Sequence, residues 1–143
     1  MRRIAVRAIV TDGDKLLLVK LLSSGMPLPF YCTIGGGLDE GESIVDGIKR
    51  EVLEETGVVA EVGKLLCIQQ FTDKKDNIEF FFHVTNTDDF KNIDLSKTSH
   101  GQKEIAEIGF YNPKEVEVLP EFLKDTSIEE LLNSKEPKLF NYL

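Results

Sequence analysis

Only one long stretch of this chain carries a helical period, and glycine fences it on both sides. Residues 43–57, "SIVDGIKREVLEETG", follow Gly35-Gly36-Gly37 and stop at Gly57. Ser43 and Asp46 stand at capping-box spacing, which predicts a helix start just after the glycine loop, and Gly57 supplies a left-handed stop after Thr56. At about 100° per residue Ile44, Val45, Ile48 and Val52 gather on one face, so the helix is expected to lay an apolar stripe on a sheet. A single such helix among strand-patterned runs excludes a helical bundle. It also breaks the regular alternation of a parallel βαβ sheet, so the expected class is α+β with a mixed sheet between helices.

The flanking runs supply the strands. "RIAVRAIV" alternates, with Ile4, Val6, Ala8 and Val10 on one face and Arg3, Ala5, Arg7 and Ile9 on the other. "TDGDK" offers an Asp-Gly turn and "LLLVKLL" a return strand, which predicts a hairpin. "SSGMPLPF" reads as a surface loop leading to a short strand around "FYCTI". Beyond the helix, "EVGKLLCIQQF" and "NIEFFFHV" read as two strands joined by "TDKKD". Residues 85–104 form a polar connection longer than compact domains use without a functional reason. A strand at "IAEIGFY", one helical turn in "NPKEVEVL" and a short helix in "TSIEELLNS" complete the reading. With no internal repeat or linker, the 143 residues are expected to form one domain spanning 1–143.

Charge and composition narrow the partners. Seventeen basic against 25 acidic residues give a net charge of −8, which argues against a protein that coats a nucleic-acid polymer with a basic face. The chain lacks a long apolar run, and Asp12 and Asp14 come too early for a signal-peptide core, so the expectation is a soluble, cytoplasmic protein off the membrane. Cys32 and Cys67 lack metal-site spacing and read as reduced thiols.

The helix then contradicts ordinary helix electrostatics. Glu51, Glu54 and Glu55 crowd the C-terminal turn, where the backbone dipole already disfavours carboxylates and like charges four apart repel. Taken alone, such a run is a solvated face. Two neighbours point elsewhere. Arg50, adjacent to Glu51 and four before Glu54, can hold a carboxylate in one orientation. Gly35-Gly36-Gly37 permits close backbone approach and frames a metal and phosphate site. A divalent cation would reverse the sign of every repulsion, and hard oxygen ligands in one place suit magnesium, with water and substrate phosphates completing the shell.

As a set, these residues resemble the signature of the Nudix hydrolases, G-x5-E-x7-R-E-U-x-E-E-x-G-U with U aliphatic. Gly36, Glu42, Arg50, Glu51, Val52, Glu54, Glu55, Gly57 and Val58 fill all nine specified positions. The resemblance is tight over residues 36–58 and loose over most of the remaining chain, and it implies an αβα sandwich with a central mixed β-sheet. It also implies that Glu51 and Glu55, with Glu54 beside them and the Gly35 carbonyl from the loop, hold magnesium, with manganese as a substitute. By the same resemblance Arg50 orients the carboxylates, Glu42 anchors the loop-helix-loop, and Gly36 and Gly57 permit the turns at its ends. Tyr31 and Ile34 stand where many members carry Trp and Pro, which bears on substrate preference rather than on metal ligands.

The implied reaction is attack of water on a phosphorus of a nucleoside diphosphate linked to another moiety, with a nucleoside triphosphate or related derivative as the leading substrate. Glu51 is one candidate general base; Glu104 or Glu107, after the long connection, is another. Arg3 and Arg7 share a strand face suited to phosphates, although the polar outer face of an edge strand would explain them equally. Gly36 and Gly37 would lie against the substrate, and Tyr31, Phe30, Phe71 or Phe81 could stack on a base. His83 and His100 have no catalytic partner at recognisable spacing. The expected assembly is a monomer or homodimer acting on a small nucleotide; a non-catalytic nucleotide-sensing domain is the alternative.

Overall fold

A computed structural model describes residues 2–143. In chain order the elements are β1 (Arg3–Ile9), β2 (Thr11–Asp12), β3 (Lys15–Ser23), β4 (Met26–Pro27), β5 (Gly35–Gly37), α1 (Ile44–Thr56), β6 (Val62–Thr72) and β7 (Asp76–Val84). After a connection containing two 3-10 turns come α2 (Gly101–Glu104), β8 (Ile105–Tyr111), α3 (Phe122–Asp125), α4 (Ile128–Asn133) and β9 (Lys138–Asn141). The main sheet runs β5-β1-β7-β6-β9 and is mixed: β1 is parallel to β7 and antiparallel to β5, while β6 is antiparallel to β7 and parallel to β9. A second, antiparallel sheet joins β2, β4 and β8 to β3.

Helices cover both sides, which makes the α+β sandwich expected from the sequence. Ile48 and Val52 of α1 pack with Val6, Ala8 and Val10 in one core, and Phe122, Leu123 and Leu131 of α3 and α4 pack with Ile9, Leu66 and Phe81 in the other. Each fully buried Val or Ile contributes about 1.5–3 kcal/mol relative to exposure, so the α1 stripe firmly fixes the helix rotation. That stripe is narrower than its period suggests. Val45 is exposed and Gly47 is buried instead, packed so closely that a Cβ there would collide with the side chain of Leu38.

Several strand expectations are revised by long-range pairing. The Asp-Gly turn closes only the short β2–β3 ribbon, with Gly13 at φ 63, since β1 leaves for the main sheet and never pairs with β3. There β1 is interior, flanked by β5 and β7 with buried residues on both faces, so Arg3 and Arg7 do not decorate an edge strand. The segment around "FYCTI" makes only isolated bridges, Tyr31 with Val118 and Cys32 with Val19. The strand lies just beyond, at the glycine triplet, where Gly35, Gly36 and Gly37 pair with Arg7, Val6 and Ala5. "NPKEVEVL" is a turn without a helix, and α3 and β9 carry no signal recognised in the sequence. The long connection is packed rather than loose, for Phe90 and Thr98 are buried and residues 98–101 fold over the C-terminus of α1.

Candidate active site

Both ends of α1 are set by local chemistry. Ser43 Oγ accepts the amide of Asp46 at 3.1 Å, and Gly57, at φ 77, turns the chain out of the helix while its N–H bonds the Leu53 carbonyl. Strand β5 then meets the helix without a side chain between them. A Cβ at Gly36 would stand 2.8 Å from the carboxylate of Glu51, so only glycine lets that carboxylate seat against the sheet edge. At Gly35, φ is 149 and a Cβ would strike the Val6 carbonyl, which again admits glycine alone.

Arg50 stitches this unit together. Its Nε and Nη2 donate to the two oxygens of Glu42 at 2.7 and 2.9 Å, its Nη1 reaches Glu51 at 3.0 Å and Glu54 at 3.2 Å, and Nη2 also donates to the Gly37 carbonyl at 3.1 Å. Glu42 additionally accepts the amide of Asp39 at 3.1 Å, and the Arg50 hydrogen bonds, with that amide, hold its carboxyl down at about 2. Loop and helix are therefore cross-linked through one guanidinium whose own pKa is raised, chiefly by Glu42.

The remaining carboxylates have opposite surroundings. Glu55 is 4% exposed and its Oε2 is buried with no hydrogen-bond partner among the described residues. Burial, then the facing charge of Glu51, pushes the Glu55 carboxyl up to about 8, against a counteracting pull from Arg7. Glu51 is also raised, again by burial first. Glu54 instead turns outward between Arg50 and His100, whose Nδ1 lies 3.2 Å from Glu54 Oε2. His100, given no role from sequence spacing, thus meets the signature through the folded connection, and its backbone N–H also caps the Glu54 carbonyl at 2.9 Å. Close packing tightens this, because a Cβ at Gly101 would strike the Glu55 carbonyl. The two downstream glutamates separate: Glu104 is near enough to raise Glu55 by its charge, while Glu107 bonds the Tyr31 hydroxyl at 3.3 Å and lies 3.9 Å from Lys20.

The buried oxygen of Glu55 opposite Glu51 fits a divalent cation, since no hydrogen bond from the described residues offsets that desolvation. Among the described residues no three acidic, imidazole or thiol groups enclose a point by themselves, so two carboxylates would need further oxygens from backbone, water or substrate.

A cleft of about 410 Å³ opens on the face of the main sheet that carries Arg7. Its floor is a polar row dictated by register. Gln69 pairs with Glu79 across β6 and β7, and Glu79 pairs with Ala5 across β7 and β1, so Glu79 sits between Arg3 and Arg7 on one sheet face. Glu79 Oε2 accepts from Arg7 Nη2 at 3.1 Å, Arg7 Nε at 3.3 Å and Arg3 Nη1 at 3.4 Å, and Gln69 Nε2 donates to its Oε1 at 2.9 Å. Apolar walls include Phe30, Phe71 and Leu28. Phe81 is core, edge-on to Phe122, and Tyr31 packs on Tyr111 with ring centroids 4.6 Å apart. Glu79 and Gln69 were not singled out from sequence; their facing positions on paired strands were the available signal.

A glycine strand, loop and carboxylate-bearing helix set on a mixed sheet between helices defines a Nudix domain. The NUDIX domain family model matches residues 1–132, and the chain belongs to that family. Two curated relatives are each 31% identical to it. One is the human mitochondrial NAD(P)H pyrophosphatase NUDT13, over 77 residues, 54% of this chain and 21% of the relative. The other is an ADP-ribose pyrophosphatase of Methanocaldococcus jannaschii, over 74 residues, 50% of this chain and 41% of the relative. The matches thus span less than half the length of either relative. Among solved structures, a UDP-X diphosphatase superposes with a TM-score of 0.71 at 23% identity, covering 97% of this chain and 67% of that one, a likeness of fold.

Proposed function

We propose that this protein is a magnesium-dependent hydrolase that cleaves the pyrophosphate linkage of a nucleoside diphosphate joined to another moiety, a nucleoside triphosphate or related derivative foremost. The observation that carries the reading is the Glu55 carboxylate, buried without a partner against Glu51. The pyrophosphatase relatives support the bond class. Glu51 and Glu55 would hold the ion, with Glu54 and the Gly35 carbonyl as adjoining oxygen donors. When bound, magnesium or manganese screens the diphosphate and makes a coordinated water more acidic. Arg50 keeps Glu51 turned toward Gly36, and Arg7, between Glu79 and Glu55, offers guanidinium N–H groups to a phosphate. Arg3, more exposed and bonded to the same Glu79, offers further donors on that sheet face. Glu104 is the better downstream proton acceptor, because Glu107 is engaged by Tyr31 and Lys20. The nucleoside would occupy the cleft whose floor Arg7 shares.

A panel of nucleoside triphosphates and diphosphate-linked nucleotides, incubated with magnesium and assayed for phosphate, pyrophosphate and nucleotide products, tests this. Turnover of at least one member that chelation abolishes is expected. Silence across the panel would overturn the hydrolase reading in favour of nucleotide sensing.

A further inference from the structure

Gln69 is 4% exposed, and its amide can be set in only one way. Glu79, paired with two guanidinium groups, offers Gln69 acceptor oxygens alone, so the Gln69 amide must turn its Nε2 toward Glu79. The opposite atom, Oε1, then faces away from the ion pair. It accepts no hydrogen bond from the described residues, yet it is not among their enclosed unpartnered side-chain atoms, which are Thr33 Oγ1 and Glu55 Oε2. It therefore keeps some contact with solvent, and Gln69 lines the cleft together with Thr33. Arg7, which fixes Glu79, also donates to the Thr33 carbonyl at 3.2 Å, so the cleft floor and the Thr33 backbone are held by the same guanidinium.

Resting on the reading of this cleft as the nucleoside site, we infer that Gln69, locked by Glu79, is the specificity-determining residue, and that it selects a nucleobase presenting an N–H donor edge. The carbonyl of a locked amide is an acceptor that cannot turn to serve as a donor. A base whose facing nitrogen lacks hydrogen would leave Oε1 desolvated and unpaired under an apolar ring. A site built to hydrogen-bond its ligand rejects the analogue that lacks the bond far more strongly than an apolar pocket rejects a size change. Phe30 and Phe71 supply tolerant apolar contact; the discrimination resides in one oxygen.

The test is binding by calorimetry, with magnesium, of methylene-bridged nucleoside triphosphates that cannot be hydrolysed. Each common base is compared with a counterpart in which a ring N–H is replaced by N-methyl or an exocyclic amine by N,N-dimethylamine, so that the donor is removed entirely. The wild-type protein should bind at least one unmodified base about tenfold or more tightly than its methylated counterpart, and Gln69→Met should bring that ratio to within about twofold. A ratio near one in the wild type, or a ratio that survives in folded Gln69→Met, overturns the inference. Glu79→Gln provides a second reading, because a glutamine there can donate to Oε1 and release the Gln69 amide; the ratio should fall, and an unchanged ratio counts against the lock. Hydrolysis of the panel alongside indifference to methylation would refute the role of Gln69 and leave the hydrolase reading standing. Absence of both binding and turnover refutes the two together.

Discussion

Glu55→Gln should make the metal-free protein more stable, by a margin that is absent near pH 4.5 and grows until about pH 8. The Glu55 carboxyl stands at about 8 in the folded chain against an ordinary 4.5, because burial and then the Glu51 charge disfavour ionisation, while Arg7 pulls the other way and Glu104 adds to the rise. The folded state therefore binds more protons than the unfolded one between those values. Stability is fully present below about 4.5, falls as pH rises through the window, and levels off above about 8. A displacement from 4.5 to about 8 corresponds to on the order of 5 kcal/mol for one isolated group. Proton sharing with Glu51 and the cost of burying an amide reduce what the substitution recovers. In chelator-treated protein at pH 8.5, the variant should exceed the wild type by about 2–4 kcal/mol in urea unfolding, or roughly 6–12 °C in midpoint. At pH 4.5 the two should agree within about 0.5 kcal/mol. Magnesium should raise the wild-type midpoint at pH 8.5 and leave the variant nearly unmoved. A variant less stable than wild type at both pH values, or a gap independent of pH, would refute the argument that Glu55 is a strained charge awaiting a cation.

Three further outcomes follow from neighbouring geometry. Arg50→Ala strips Glu42, Glu51 and Glu54 of a shared partner and should cost about 2–4 kcal/mol in urea unfolding, and Arg50→Lys should recover less than half because an ammonium cannot span both Glu42 oxygens. Gly36→Ala places a methyl where the Glu51 carboxylate sits, so manganese affinity measured by electron paramagnetic resonance should weaken about tenfold or more while stability drops by only about 1–2 kcal/mol. Ser43→Ala removes the cap on the Asp46 amide and should lower stability by about 1 kcal/mol without changing manganese affinity.

How far each feature was legible follows the range of the interaction behind it. Capping by Ser43, termination at Gly57 and the crowding of Glu51, Glu54 and Glu55 depend on residues within a few positions of one another, and the chain spells them out locally. The spacing of the signature likewise identifies the family. What the local pattern could not tell was which face of each strand meets which partner. "RIAVRAIV" alternates equally well on an edge or in the interior, and only its pairing with β5 and β7 makes Arg7 a half-buried partner of Glu79. The glycine triplet has no side chains to reveal a strand, so its β5 pairing appeared only with β1 beside it.

The sequence by itself determined that one capped helix would carry repelling carboxylates next to a bare glycine backbone, because capping, periodicity and like-charge repulsion act over one or two turns. Tertiary structure alone decided that Glu55 lies buried without a partner among the described residues while Glu54 meets His100, and that Gln69 is held by a carboxylate ten residues away in sequence. Those assignments rest on sheet register and on the packing of residues 98–101 over the helix end, interactions between segments whose separation along the chain hides them from any local pattern.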